Sequence, residues 1–375
     1  MPNKLSFRDI LLTNRQQWDH DGTNKNVRDN FTKVTRCRTP ALGAEVYVSE
    51  GGEEVVVPHT CKSSSCSGCG RLSSMNWIED IKYELPAIPY AGLCFTMPSI
   101  LWAIFRDNSH LMEALPALGA SVLQDWVKKK YAADVMILVV SHSFGKALLF
   151  KPHLHILASR TGLDQFGNGI VHEIKYPKNA ILPAWRHVVV DYLRKALAEG
   201  TVNSPLSDSD LDALLVYQRD MWWNIDVQLG VDKHEFVAYI GRYLRRPTIA
   251  DYNLISHDEK HVKFWTKETR LGGREAVELP PAEFLSRVSD HMAGRYKNKV
   301  RYFGLLSPGS KHIDYKTFLA LLGQVRGLKP RRLRYADKIK IHFHRDPLHY
   351  ANGVRMRWSR NVPAEKPSDS TEHLS

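Results

Sequence analysis

Lys151-Pro152-His153-Leu154-His155-Ile156 sets two histidines on either side of a single leucine in a β-rich run. Side chains on a β-strand alternate between its two faces, so His153 and His155 share one face while Leu154 turns into the core. Two imidazoles placed this way can hold a divalent metal and leave positions open for a substrate oxygen and another ligand. An amphipathic strand with two half-exposed histidines has the same spelling, so the pair takes its meaning from its surroundings. His142 closes the preceding β-rich run and reaches the same face if the two strands pair. That makes it a candidate third ligand, with a satisfied core histidine as the alternative.

Working outward, Gly92–Met97, Asp134–Ser141 and Leu154–Ala158 read as short strands, and Asn224–Gln228 as another. Helical patterns run from Ser99 to Lys130, broken near Pro116, and from Ala184 to Glu199, the latter followed by a polar linker, Asn203 to Asp210. Asp232 to Arg246 reads as a helix capped by Asp232 and ended by Pro247. Asn253–Ser256 and Val262–Thr266 form a hairpin around the turn 257–260, and Pro281 to Gly294 is a further helix. Strands that pair without a strict β-α-β rhythm predict an α+β fold, with an antiparallel sheet and helices on one side.

The chain has 375 residues, 43% hydrophobic and 25% charged, which excludes wholesale disorder. No run is long and apolar enough to span a membrane, and residues 1–13 offer no secretion signal, so a cytoplasmic protein with no membrane partner is expected. The formal charge of +12 favours a polyanionic partner. From Gly327 to Arg360 ten Lys or Arg residues stand against two acids, with Tyr335, Phe343, Tyr350 and Trp358 interleaved. That segment reads either as a solvated basic tail or as a nucleic-acid grip, and Pro363 to Ser375 as a frayed polar end.

Five cysteines in such a chain argue against a disulfide framework. Cys61, Cys66 and Cys69 are bunched behind His59, with Cys37 upstream. The three, with Cys37 or His59 as the fourth ligand, suit one tetrahedral zinc site.

Tyr239 and Tyr243 stand four apart in the helix predicted over 232–246, so their phenols project from one face, and Arg242 and Arg246 form a similar pair. A tyrosine pair at this spacing also packs well in a core. As a nucleophile, a phenol of pKa about 10 needs a polarised phosphate or a nearby cation.

Together, the His-apolar-His strand and the downstream tyrosine pair resemble the HUH endonucleases, and within them the rolling-circle transposases with an N-terminal zinc region, insertion-sequence family ninety-one. The similarity runs from about residue 30 to 306 and includes Cys37–Gly43, His59 through Cys69, Phe95-Thr-Met-Pro98, His142–Gly145, Pro152–His155, Tyr239–Arg246, Glu283–Arg287 with His291, and Val300–Leu305. It implies an HUH catalytic sheet over 89–306, a zinc- and DNA-binding region over 1–88 and a basic C-terminal segment over 307–375. It implies a transposase that nicks and rejoins single-stranded DNA at the ends and target of a mobile element, near the bacterial nucleoid. Mg²⁺ or Mn²⁺ would sit on His153 and His155, a structural Zn²⁺ on the cysteines, and Tyr243 or Tyr239 would form a 5′-phosphotyrosine. Arg242, Arg245 and Arg246 would clamp phosphates. A plasmid replication initiator or relaxase shares this chemistry, and a retired, non-catalytic DNA-binding protein is the reading from another class. The chain departs from the family at Ser49–Glu53, where relatives carry a further Cys pair, and at Tyr350 and Gly353, where many carry a Cys-x-x-Cys knuckle, so one zinc site rather than two is expected.

Overall fold

The protein's structure, a computed structural model, describes residues 5–237, 248–267, 273–292, 298–309, 314–325 and 354–365, with isolated positions between 333 and 348. In chain order its elements are α1 (Phe7–Thr13), α2 (Lys25–Thr35), β1 (Ala44–Val48), β2 (Glu54–Pro58), α3 (Ser67–Glu84), β3 (Tyr90–Phe95), α4 (Trp102–Asp107) and α5 (Leu115–Tyr131). There follow β4 (Ala133–Phe144), β5 (Phe150–Asp164), β6 (Ile170–Val171), α6 (Lys178–Ala198), α7 (Asp208–Gln218), β7 (Ile225–Val231) and a helical segment α8 over 233–237. The last are β8 (Leu254–His257), β9 (Val262–Lys267), β10 (Arg274–Leu279), α9 (Pro281–Ser289), β11 (Val300–Gly304), α10 (Asp314–Leu321) and β12 (Arg357–Val362).

The fold is α+β with antiparallel sheets. Its central sheet runs β11-β4-β5-β3-β7, with β6 added beside β5, and among the described residues every pairing in it is antiparallel. β4 and β5 form the long middle pair. Val135, Ile137 and Val139 with Leu154, Ile156 and Ala158 face one core, which α4, α5, α6 and α7 close. Burying each such aliphatic side chain is worth about 1.5–3 kcal/mol.

The opposite face is covered too, which corrects the expectation of helices on one side. Met136, Leu138, Val140 and Leu157 pack there against Ile81 and Leu85 of α3 and its C-cap, Phe236 and Val237 of α8, and Phe318 and Leu319 of α10. An apolar run without alternation, Val135 through Val140, can be buried only if both faces are roofed. Pro116 starts α5 rather than kinking a longer helix, because its missing N–H costs nothing in a first turn. The expected linker 203–210 ends inside α7, whose N-cap Ser207 accepts from the Asp210 N–H.

A third core joins elements far apart in sequence: Phe7, Ile10, Phe31 and Cys66 pack with Leu148, Ile249, Phe264, Phe284 and Val288. Packing therefore crosses the boundary expected at residues 88/89. Most of the basic stretch from Gly327 lies outside the described residues, but at its end β12 pairs with β1 and completes a β12-β1-β2 sheet. There Arg360 forks onto Glu54 at 2.7 and 3.0 Å, and Arg357 reaches Glu50 at 3.0 Å. Arg357 and Arg360 are thus neutralised by acids of this chain. No helix among the described residues is long and apolar enough to cross a membrane.

At the rim of the central sheet Gly304 adopts φ +57°, and a Cβ there would lie 1.9 Å from the Val135 carbonyl oxygen. Gly304→Ala is expected to cost about 1–3 kcal/mol or more, while Gly167→Ala, also at positive φ but in open space, costs about 1 kcal/mol. Urea unfolding of the two variants, compared by midpoint at unchanged slope, measures the difference.

Candidate metal centres

Register brings the histidines together. His142 pairs with His153 across β4 and β5, and His155, one step along the same face, pairs with Val140 on one side and Cys94 on the other. All three are buried, and one ring nitrogen from each lies within 4.8 Å of the others. His153 Nδ1 sits 2.6 Å from the Lys151 carbonyl oxygen, which makes it the protonated nitrogen and leaves the Nε2 lone pair for coordination. His142 Nδ1 lies 3.0 Å from that Nε2, so the two rings share one proton at the position where a cation would take both lone pairs. Burial first, and the neighbouring cationic forms second, hold His142 well below its ordinary value and lower His155 to about 3; burial lowers His153 as well. Near neutral pH all three are therefore uncharged, and a cation would displace only the single proton that His142 and His153 share between their facing nitrogens. The donor set fits a divalent ion held on one side by imidazoles and open on the other.

The hairpin tip between β4 and β5 is clamped. Ala147 and Leu148 both lie at positive φ, a conformation held by outside contacts. Thr266 Oγ1 accepts from the Ala147 N–H, Arg287 donates to the Ala147 carbonyl, and His291 Nε2 lies 2.8 Å from the Leu148 carbonyl oxygen. With Nε2 donating there, His291 Nδ1 accepts from Ser143 Oγ at 3.1 Å, and Phe150 stacks on the ring. The α9 region noted in the sequence thus supports the strand pair carrying the imidazoles.

Lys299, which sequence reasoning did not single out, donates to the His291 carbonyl at 3.3 Å. Its residue surface is only partly covered, but the ammonium end is enclosed, and burial lowers it to about 8. No local pattern marks it; only the pairing of β11 with β4 brings residue 299 near His142, whose protonation its charge opposes.

The cysteines form a second cluster. Cys37 Sγ lies 3.7 Å from Cys69 and 3.6 Å from Cys66, and Cys61 lies 3.7 Å from Cys69. A tetrahedron of zinc–sulfur bonds near 2.3 Å spaces its sulfurs about 3.8 Å apart, so the set matches a tetrathiolate site. Hydrogen bonds from Cys61 and Cys66 lower Cys37 to about 7, and those from Cys37, Cys61 and Cys66 hold Cys69 low. His59 is outside the cluster, a correction to its candidacy: its Nδ1 lies 3.0 Å from the Leu42 carbonyl and its Nε2 3.3 Å from Glu45 Oε1. The fourth position belongs to Cys37, carried in by the turn after α2.

Tyr239, Tyr243, Arg242, Arg245 and Arg246 lie outside the described residues. The segment leading to them does not. Asp232 Oδ1 accepts from the N–H groups of His234 and Glu235, the expected cap, and Phe236 and Val237 pack on the imidazole-bearing face of the sheet. A Cβ on Gly92 would lie 2.8 Å from the Phe236 ring, and Gly92 precedes Cys94, the partner of His155, by one step on that face.

A family model of putative transposases matches residues 137–312, and one of the transposase zinc-binding domain matches residues 10–97. The transposase for insertion sequence element IS801 of Pseudomonas savastanoi pv. phaseolicola is 29% identical over 357 residues, covering 90% of this chain and 85% of the relative. The chain belongs to the IS91 family of transposases. A putative transposase of Sinorhizobium fredii, y4qJ, is 26% identical over 315 residues, covering 79% of this chain and 78% of the relative. Among solved structures, the nuclease domain of the non-structural protein of minute virus of mice aligns over 66% of this chain and 98% of its own at 12% identity, with a TM-score of 0.25, too loose a likeness to bear on the site. As a transposase of this family the protein acts on DNA, and the zinc-binding match together with the four-sulfur cluster supports a structural zinc ion.

Two outcomes are expected. Native mass spectrometry should find one zinc per chain, lost in Cys69→Ser and retained in His59→Ala. Stability should rise between pH about 8 and the unfolded lysine value near 10.5, because there the unfolded chain binds a proton that folded Lys299 does not; Lys299→Met should flatten that rise in pH-dependent urea unfolding.

Proposed function

We propose that this transposase nicks and rejoins single-stranded DNA through a covalent phosphotyrosine, using the imidazole cluster on β4 and β5. The observation that carries the reading is the pairing of His142 with His153 beside His155 on the face over which Phe236 packs, three residues before Tyr239 and seven before Tyr243. In this reading the phenol oxygen of Tyr243, or of Tyr239, attacks the scissile phosphorus. A bond forms from tyrosine oxygen to phosphorus, the bond from phosphorus to the 3′ oxygen breaks, the phenol proton is lost to water, and the leaving 3′ oxygen takes one up. The product is a 5′-phosphotyrosine and a free 3′-hydroxyl.

A divalent Mg²⁺ or Mn²⁺ held by His142, His153 and His155 would withdraw charge from the phosphate oxygens. The chain's own groups do the rest. Buried neutral imidazoles keep their lone pairs directed at one point, the clamp on the hairpin tip keeps β4 and β5 in register, and Arg242, Arg245 and Arg246 hold phosphates beside the attacking group. Because the tyrosyl ester conserves the phosphodiester, a second 3′-hydroxyl reverses the step and completes transfer. Two tyrosines allow two such esters, one for each strand. The zinc-binding match at the N-terminus favours transposition over the replication-initiator and relaxase reading.

The test mixes zinc-loaded protein and Mn²⁺ with single-stranded DNA from the ends of the element and separates covalent adducts on a denaturing gel. Tyr243→Phe should abolish the adduct without weakening DNA binding, since it removes one oxygen and no charge. An adduct that persists moves the nucleophile to Tyr239. His153→Ala should lower the rate by about 100-fold or more, the scale of several kcal/mol of lost charge stabilisation. Binding with no adduct under any metal would support the retired, non-catalytic reading instead.

A further inference from the structure

Trp222 is 78% exposed, whereas its neighbour Trp223 is 1% exposed. Exposure alternates strictly from Trp222 to Asp226. Trp223 and Ile225 enter the core beneath α6 and α7, with Val227 packed against it. A period of two then places Trp222, Asn224 and Asp226 on the other side of the sheet, the side of the imidazoles. The register agrees: Asp226 pairs with Cys94, and Cys94 pairs with His155.

One step further along, Thr96 donates to the Asn224 carbonyl from both N–H and Oγ1, at 3.3 and 2.6 Å. Continuing the antiparallel pairing of Phe95 with Leu154 by one residue sets Thr96 beside His153. His142 and His153 on β4 and β5 therefore line up with Thr96 and Asn224, the residues just past the end of β3 and just before β7. Trp222 stands two residues before Asn224, in the lead-in to the edge strand β7. Lys178 donates to Asn224 Oδ1 at 3.0 Å, which holds an exposed cation on the side chain two residues after Trp222. Arg186 holds the Met221 carbonyl at 2.7 Å, so the backbone is pinned on both sides of Trp222.

We propose that Trp222 is a base-stacking platform for the DNA strand cleaved at the imidazole cluster, with Lys178 and Asn224 receiving the adjoining phosphate. The proposal rests on the single-stranded DNA reading above and adds where the strand leaves the site. An exposed indole on a fixed backbone offers a π-face to any base at little entropic cost, and unstacked bases are available only in a single strand. The surroundings suit that occupant better than a protein partner. The row leading to the indole consists of imidazole, hydroxyl and amide groups with the Lys178 ammonium on Asn224 and the Asp226 carboxylate one step away.

The experiment measures binding of a fluorescein-labelled single-stranded oligonucleotide from the element's end, by anisotropy, to full-length zinc-loaded protein carrying Tyr243→Phe so that no cleavage intervenes. Trp222→Ala should weaken binding about tenfold, and Trp222→Phe should stay within about threefold of the parent. Single abasic substitutions walked along the oligonucleotide should locate one position at which the parent and Trp222→Ala bind equally. Duplex binding should not change, and because the side chain is exposed the melting temperature should stay that of the parent. Parent-like single-strand binding by Trp222→Ala overturns the platform and leaves the cleavage reading standing. So does a loss that no abasic position removes, which would mark a structural or protein-contact role. A parent that binds duplex and single strand alike overturns the cleavage reading itself, and the platform with it.

Discussion

A β-strand allows its residues only two directions, and in β5 that restriction organises both the core and the site. Leu154, Ile156 and Ala158 enter the core under α5, so His153 and His155 must face the other way. A slip of one residue would drive both imidazoles under the helices and turn the aliphatic side chains out, an exchange that costs many kilocalories. Because β5 lies between β4 and β3, two neighbours enforce the register, and the same pairing that fills the core sets His142 opposite His153. The positions of the three imidazoles are thus consequences of hydrophobic burial.

That dependence extends to the clamp on the hairpin tip. Leu148 belongs to the same core as Cys66, Phe31 and Phe284, so packing that a zinc ion would stabilise also supports the turn linking the two histidine strands. α3 makes a second link, for it begins at the cysteine cluster and ends against the imidazole-bearing face, with Trp77 donating to the Tyr302 hydroxyl on β11 at 2.8 Å. Thiolate module and imidazole sheet are one packed body.

Much of this was legible in the residues. The His-Leu-His spacing, the cap at Asp232, the hairpin of β8 and β9 and the bunched cysteines all appear where local pattern placed them. Other features were written in the sequence but carried a further meaning. The unbroken run Val135–Val140 requires a roof on both faces, and the alternation through Trp222-Trp223-Asn224-Ile225 puts one indole in and one out. Lys299 and β12 had no local signal, since an isolated lysine and a basic arginine-rich stretch read alike whether paired or solvated.

Sequence alone determined what depends on neighbours a few residues away: which strands alternate, which helix begins at Asp232, which side chains have lone pairs for metal. Tertiary structure decided what depends on partners far along the chain. It chose Cys37 over His59 as the fourth member of the thiol cluster, because both His59 nitrogens face Leu42 and Glu45. It folded Arg357–Val362 back onto β1, 309 or more residues away, and gave two of its arginines to Glu50 and Glu54. Such choices are settled by the burial and pairing of whole sheets, a sum over many weak contacts that no short window of residues contains.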